Sequence, residues 1–419
     1  VNDKNFRKYI GAMDSEIVSD MLVPWLQRTA LQKVTMPSGT GRFNRFLDKY
    51  LGYLRSNTGF NIMVGSVSNA AQQFTGLATA HLKVKHRFLR GAFIDILTSP
   101  RKTSNIISEK SIFMRNEMTS QAYEMNQTID EILFDPGIVG DYNKFMNPHG
   151  YFLQKSAQGI VNNIIWIGSY NESLASGLSE TEAIRKADSS VRLTQGSFAP
   201  ESVSRFQVGS PGWRMMAMFT GYFNMQANLI GSEISNVANT VGLKKGAGRL
   251  FYIYMMGFML PAVISDLISK TISGRLDEDD DDQYLDDVLD SFIWGQFRTA
   301  TAMVPFVGQA VNYTVNKVRG KYFNEHISIS PVFTQLESAG RSVVSVPQAV
   351  FGKGDDRKAV KDGLTLLGLL GFKGAGAAAR PLGYAAGVNE GKIRPKGPVD
   401  FTRGMISGSP ASGTVKKGR

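Results

Sequence analysis

Four histidines, His81, His86, His149 and His326, and a run of six acids from Asp277 to Asp282 are the first places where this sequence could hold a metal or move a proton. The histidines are too scattered for a metal set or a nucleophile triad, and the "NPHGY" around His149 has the composition of a turn. The acidic run is followed by Asp286, Asp287 and Asp290, so carboxylates are plentiful. It lacks the alternating ligands and the glycine of an EF-hand loop, and a solvated acidic loop is expected. Glu172 and Asp188 would form a glycosidase-like pair only if folding brought them together. "GAGAAARPLGYAAG" is glycine-rich, but no β-branched strand precedes it and its glycines match no phosphate-binding spacing. No P-loop occurs. Cysteine is absent, which excludes disulfides, thiolate zinc sites, iron-sulfur clusters and cysteine nucleophiles together. The expectation is therefore no catalytic residue, no cofactor and no metal: not an enzyme, with any lytic activity lying in another part of a longer chain.

The elements that would position functional residues are helices. In "GRFNRFLDKYLGYLRSN", Phe43, Phe46, Leu47, Tyr50, Leu51 and Leu54 recur at three and four and form one apolar stripe. "NIMVGSVSNAAQQFTGLATAHL" is rich in small and amide residues, which permits close helix approach in a membrane or in a soluble bundle. In "SYNESLASGLSETEAIRKADSSVRLTQGS", Gly177 fits the position after a helix end, and Ser179 with Glu182 has capping-box spacing, so two helices should meet at a tight corner. Asn162 and Asn163 sit inside the apolar helix upstream. Downstream, "WRMMAMFTGYFNMQANLIGSEISNVANTV" reads as a long helix rich in methionine and aromatics, suited to a core or to a surface that repacks.

Charge is unevenly distributed. The chain of 419 residues carries a net charge of +11, with regional balances of +9 over residues 1–110, −1 over 111–270, −7 over 271–300 and +10 over 301–419. A basic protein attracts polyanions, whether nucleic acid or an anionic membrane face. The candidates for such contacts are Lys83, Lys85, Arg87 and Arg90, then Lys244 and Lys245, then Lys416 and Lys417, with Arg101, Lys102 and Arg419 nearby; a solvated helix face would look the same. Val1 is not a start methionine, and the first residues resemble neither a signal nor a transit peptide. A proteolytic product or part of a longer chain is expected.

The most distinctive segment is "LFYIYMMGFMLPAVI", Leu250 to Ile264. As a helix, its fifteen residues would span roughly 22 Å, short of the roughly 30 Å hydrocarbon core of a bilayer. Extending it backwards meets Arg249, Lys245 and Lys244, which can snorkel. Extending it forwards meets Asp266, costly in lipid unless paired or facing a lumen. A conditional membrane segment is expected, buried in protein in one state and offered to lipid in another, with Phe251, Tyr252, Tyr254, Met255, Met256, Phe258 and Leu260 as the contact candidates.

Several stretches together resemble a known family. They are "EAIRKADSSVRLTQGSFAPESVSRFQ", "MMAMFTGYFNMQANLI", the hydrophobic segment ending in an acidic loop, "MVPFVGQAVNYTV", "ISPVFTQLESA" and "ARPLGYAAGVNEGKIRPKGPVDFTRGMISG". They are similar to the C-terminal helical region of large polyvalent phage proteins and of the internal virion, or DNA-ejection, proteins of short-tailed phages. The resemblance covers roughly residues 55 to 408 and rests on helix periodicity and short words such as Arg192 to Gly196 and Phe219 to Asn228. It implies a role and no reaction: a protein packed in the virion interior, then delivered to the host envelope, where it contributes to a conduit for the genome. The implied partners are further copies of itself as a homo-oligomer, other ejection or core proteins, phage genomic DNA and, conditionally, the host inner membrane. The alternative is a soluble capsid-core scaffold that binds packaged DNA or partner core proteins and never enters a membrane.

The fold expected is all-α, an elongated multi-helix assembly with Gly/Pro-rich connections and an extended C-terminal tail. Its regions would be a basic helical region at 1–150, a hydrophobic Met/aromatic-rich region at 151–272, an acidic loop at 273–290, a C-terminal helical region at 291–385 and an extended or partly disordered basic tail at 386–419.

Overall fold

The computed structural model of the protein describes residues 42–116, 149–195, 221–273, 331–351 and 355–409, together with Val18, Met146 and Val415–Lys416. The fold is all-α. Its helices are α1 (Arg42–Met63), α2 (Val67–Gln72), α3 (Gly76–Ala80), α4 (His86–Thr98), α5 (Pro100–Lys110), α6 (Phe152–Ala175), α7 (Glu180–Gln195), α8 (Gly221–Thr240), α9 (Ala247–Tyr254), α10 (Leu260–Ser273), α11 (Pro331–Val350), α12 (Asp356–Leu369), α13 (Ala375–Asn389) and α14 (Pro398–Ser407). The strands β1 (Ile393–Arg394) and β2 (Val415–Lys416) form one short antiparallel ladder.

The corner between α6 and α7 forms as its residues dictate. Gly177 takes φ +84°, and the amides of Leu178 and Gly177 reach the carbonyls of Ser173 and Leu174 at 3.1 and 3.0 Å, closing the last turn of α6 in a Schellman arrangement. Ser179 then caps α7. Its amide and hydroxyl donate to Glu182 Oε2 at 3.0 and 2.6 Å, and its hydroxyl accepts from the Glu182 amide at 3.4 Å. The two helices are thereby folded onto one another and onto α4 and α5. Val161, Ile164, Ile165, Trp166, Ala183, Ala187, Val191, Leu89, Ala92, Ile96 and Ile107 close into a single core. This core draws from both sides of the boundary expected at residue 150, so the first two regions meet in one unit.

A second assembly joins the two ends of the described chain. On α1, Leu51 and Leu54 pack against Val332 and Leu336 of α11. Asn57 Nδ2 donates to the Leu369 carbonyl at 3.1 Å, Asn61 Nδ2 to the Thr365 carbonyl at 3.3 Å, and Asn61 Oδ1 accepts from the Gly376 amide at 3.2 Å. Buried amides that satisfy otherwise orphaned backbone groups fix register as well as contact. A side chain at Gly376 would collide with Asn61, since a Cβ there would lie 2.3 Å from Asn61 Cγ. The apolar stripe expected on α1 is buried only at its far end, for Phe43, Phe46 and Tyr50 are exposed.

The glycine-rich "GAGAAARPLGYAAG" caps and forms most of helix α13, with Pro381 inside it, and one expectation changes. The segment 386–419, expected as an extended or partly disordered tail, carries α14 with Pro398 in its first turn and an N-terminal amide–carboxylate bond from Lys396 to Asp400 at 2.8 Å. Proline's fixed φ and missing N–H suit a first helical turn. The acidic run at 277–282 and "MVPFVGQAVNYTV" lie outside the described residues.

Candidate membrane-contact helix

The apolar segment is longer as a helix than as a run of apolar letters. α9, a π turn at Met255–Met259 and α10 follow one another without a break. The span Ala247–Ile272 is thus 26 residues long with a mean hydropathy of 1.6 over its most apolar window. At 1.5 Å per residue it extends about 39 Å, enough for a hydrocarbon core of about 30 Å. Only 33 % of that window is buried inside the protein.

Its covered face is held by α8 and by the turn between α3 and α4. Ile253 is fully buried among Leu82, Leu229 and Val237, with Leu250, Tyr252 and Met256 half-buried beside them. Gly257 lies where the helices come closest, and a Cβ there would meet Ile230 Cγ1 at 2.9 Å and Leu82 Cδ1 at 3.2 Å. The π turn has a specific cause and a specific remedy. Pro261 has no N–H to give to the carbonyl four residues back, which is that of Gly257. Gln226 of α8 supplies the donor, with Nε2 2.6 Å from the Gly257 oxygen in a buried position.

The uncovered face is aromatic. Phe251 is 65 % exposed and Tyr254 44 % exposed; the Tyr254 and Phe258 rings stack at 5.8 Å. Phe258, Met255 and Leu260 are half-buried. Tyr252 turns the other way, donating its hydroxyl to the His81 carbonyl at 3.1 Å. The seven contact candidates therefore divide between the two faces.

Charges at both ends are accounted for. Buried Glu233 of α8 accepts from Lys83 at 2.6 Å and from Arg249 at 3.1 Å; Arg249 also reaches the Leu82 carbonyl at 3.3 Å and lies over the Tyr252 ring at 5.2 Å. At the far end Asp266 pairs with Lys270 at 3.5 Å one turn later, both side chains largely covered. On α2, Gln72 donates to Ser269 Oγ at 3.1 Å and fastens α10.

The basic candidates separate in the same way. Lys83 serves Glu233. Lys85 pairs with Glu172 at 3.5 Å, and its amide donates to that carboxylate at 2.9 Å. Arg87, Arg90, Lys244 and Lys245 are exposed. Lys416 lies in β2 opposite Ile393, and Lys417 is outside the described residues. Glu172 and Asp188 each have local work: Asp188 Oδ1 accepts from Trp166 Nε1 at 2.7 Å and from Ser111 Oγ at 2.6 Å. His81 and His86 stack at 5.8 Å, His81 Nδ1 contacts the Leu77 carbonyl at 2.8 Å, His149 is exposed, and His326 is outside the described residues. Among the described residues no group of three or more acids and histidines is placed to hold a metal ion.

Sequence reasoning missed Glu233 and Gln226. Both lie on a helix whose methionines and aromatics drew the eye, and a lone acid and a lone amide carry no motif. The proline four residues after Gly257 was the available signal, because it leaves a carbonyl in need of a donor.

No protein-family model, curated protein or solved structure matches this chain.

Proposed function

We propose that this chain is a structural component of a phage DNA-ejection apparatus that contacts the host inner membrane through Ala247–Ile272. The phage setting rests on the resemblance of its helical segments and short words to internal virion proteins. The membrane role is supported by one observation above the others: a 26-residue apolar helix whose most apolar window is only 33 % buried inside the protein. A core helix of that length would normally be enclosed, whereas this one presents Phe251 and Tyr254 to solvent. Aromatic rings at an apolar edge favour the bilayer interface, and the i,i+4 pairing of Asp266 with Lys270 lowers the cost of taking both into a less polar medium.

The reading makes α8 a removable cover. Its grip consists of a small apolar cluster, one amide bond to the π turn and the double ion pair at Glu233. Release of α8 would expose Ile253 and Leu250 alongside the aromatic edge.

The test uses the full chain, which has no cysteine of its own, with single cysteines introduced at Phe251 and Val263. On vesicles of bacterial-type lipid, both should become protected from a water-soluble thiol reagent, and the protein should float with the lipid. Full thiol reactivity at both sites in floated protein rejects the span. A soluble scaffold, by contrast, would stay in the bottom fraction while the vesicles float, with both cysteines reactive.

A further inference from the structure

We infer that the outer face of α4, continued by the first turn of α5, is a second lipid contact: a shallow anchor for anionic headgroups, separate from Ala247–Ile272. It rests on the reading above in taking a membrane as the partner, but it uses different residues and can fail separately.

α4 buries Leu89, Ala92 and Ile96 in the α6–α7 core. At 100° per residue these fix the buried side of the helix. The flank that begins about 40° from Leu89 and runs on for about 120° holds Phe93, Leu97, Arg90, Ile94 and Arg87. Phe93 is 41 %, Ile94 47 % and Leu97 66 % exposed, and both arginines are exposed. The one acid of α4, Asp95, falls outside that sector. Just past Leu97 the chain turns at Ser99, Pro100 opens α5, and exposed Arg101 and Lys102 follow.

A solvated helix face has no use for three large apolar side chains between cations. A nucleic-acid face would seat its cations against phosphate and gain nothing from Ile94 and Leu97 between them. An anionic bilayer surface takes both kinds of group at once: the apolar side chains enter the headgroup–acyl boundary, and the guanidinium and ammonium groups stay with phosphate.

The experiment measures partition of the full chain onto phosphatidylglycerol-containing vesicles and onto neutral phosphatidylcholine vesicles. A fluorophore sensitive to polarity is attached at Leu97→Cys. The expected result is a blue shift on the anionic vesicles alone. Removing two cations in Arg87→Ala/Arg90→Ala should weaken anionic partition roughly thirtyfold, at about fivefold per basic residue near the surface. Ile94→Asp/Leu97→Asp should weaken it at least as much. These positions are exposed, and an unchanged circular dichroism spectrum verifies the fold of each variant. An unshifted probe on anionic vesicles, wild-type partition by both variants, or variants that lose duplex-DNA binding while retaining vesicle binding would each overturn the inference. In a Phe251→Asp/Tyr254→Asp background the Leu97 probe should still shift. A retained shift with no protection at Val263 refutes the span and keeps the anchor, and the reverse pattern does the opposite.

Discussion

Helices α6 and α9–α10 are both long and rich in apolar residues, yet they differ in what they bury and what they expose. α6 buries polar groups along its length. Asn162 accepts from Gln158 at 2.8 Å, Ser169 and Ser190 hydroxyls meet at 2.8 Å, Ser173 donates to the Ser169 carbonyl at 2.7 Å, and Glu172 takes the Lys85 amide. Such groups are tolerable inside a protein because neighbouring helices supply partners. In Ala247–Ile272 the fully buried positions are Ile253, Gly257, Met259, Pro261 and Ala262, all apolar; the covered polar side chains Asp266, Ser269 and Lys270 are confined to its C-terminal end, and Phe251 and Tyr254 remain outside. The lesson is that hydrophobicity alone does not identify a helix's solvent. The polar residues it buries, and whether they have partners, distinguish an enclosed helix such as α6 from one left partly open such as α9–α10.

The largest effect expected is on α6. Trp166 is fully buried, stacks on Tyr170 at 5.1 Å and donates its indole N–H to Asp188. Trp166→Ala should destabilise the fold by about 3–5 kcal/mol through the cavity it leaves, read as a lowered denaturant midpoint. If α6 tolerated this change as readily as a surface site, the contrast between the two helices would collapse.

Next comes the clasp on α9. Glu233→Gln leaves Lys83 and Arg249 without their shared carboxylate. Because both cations are partly exposed, solvent compensates much of the loss, and about 1–2 kcal/mol is expected. The informative readout is dye leakage from vesicles, which should increase as α8 loosens. Reduced leakage would mean that α8 belongs to the membrane-active form and is not its cover.

How much of this was legible follows from how local each feature is. The α6–α7 corner was readable because Gly177, Ser179 and Glu182 act within six residues. The helical character of α1 followed from spacing, whereas the fifteen-letter run at Leu250 read as too short to span because the helix continues through Asp266 and Lys270, where the apolar letters stop. Asn57 and Asn61 could not be read as clasps, because their partners lie more than 300 residues away. The outward direction of Phe251 and the inward direction of Tyr252 were equally hidden: in a run where every residue is apolar, periodicity has nothing to report. Helix α14 was legible in Pro398 and Asp400 but was outweighed by the glycine, proline and basic composition around it.

A smaller effect comes from the corner itself. Ser179→Ala removes the N-cap of α7 and should cost about 1 kcal/mol. The Ser179 hydroxyl, and then its amide, hold the Glu182 carboxyl below the usual carboxylate range. A carboxyl depressed in the folded state contributes stability above the ordinary glutamate range, and that contribution is lost as pH falls through the depressed value. The substitution should therefore flatten the acid limb of the stability–pH curve; an unchanged limb would remove the capping box as its source.

The smallest effect on stability is the one that bears most on the comparison. Phe251→Ser/Tyr254→Ser alters two large exposed side chains that the core does not need, so the denaturant midpoint should move by no more than about 0.5 kcal/mol. Flotation should nevertheless fall, because each ring removed takes away apolar area that only lipid would cover. A loss of stability comparable to that of Trp166→Ala would place these rings in a protein interior, like those of α6. Unchanged stability with unchanged flotation would leave Ala247–Ile272 an apolar helix with an incidental exposed edge. Unchanged stability with lost flotation is the combination that the membrane reading requires, since side chains that contribute little to folding stability would then be the ones that act at the bilayer.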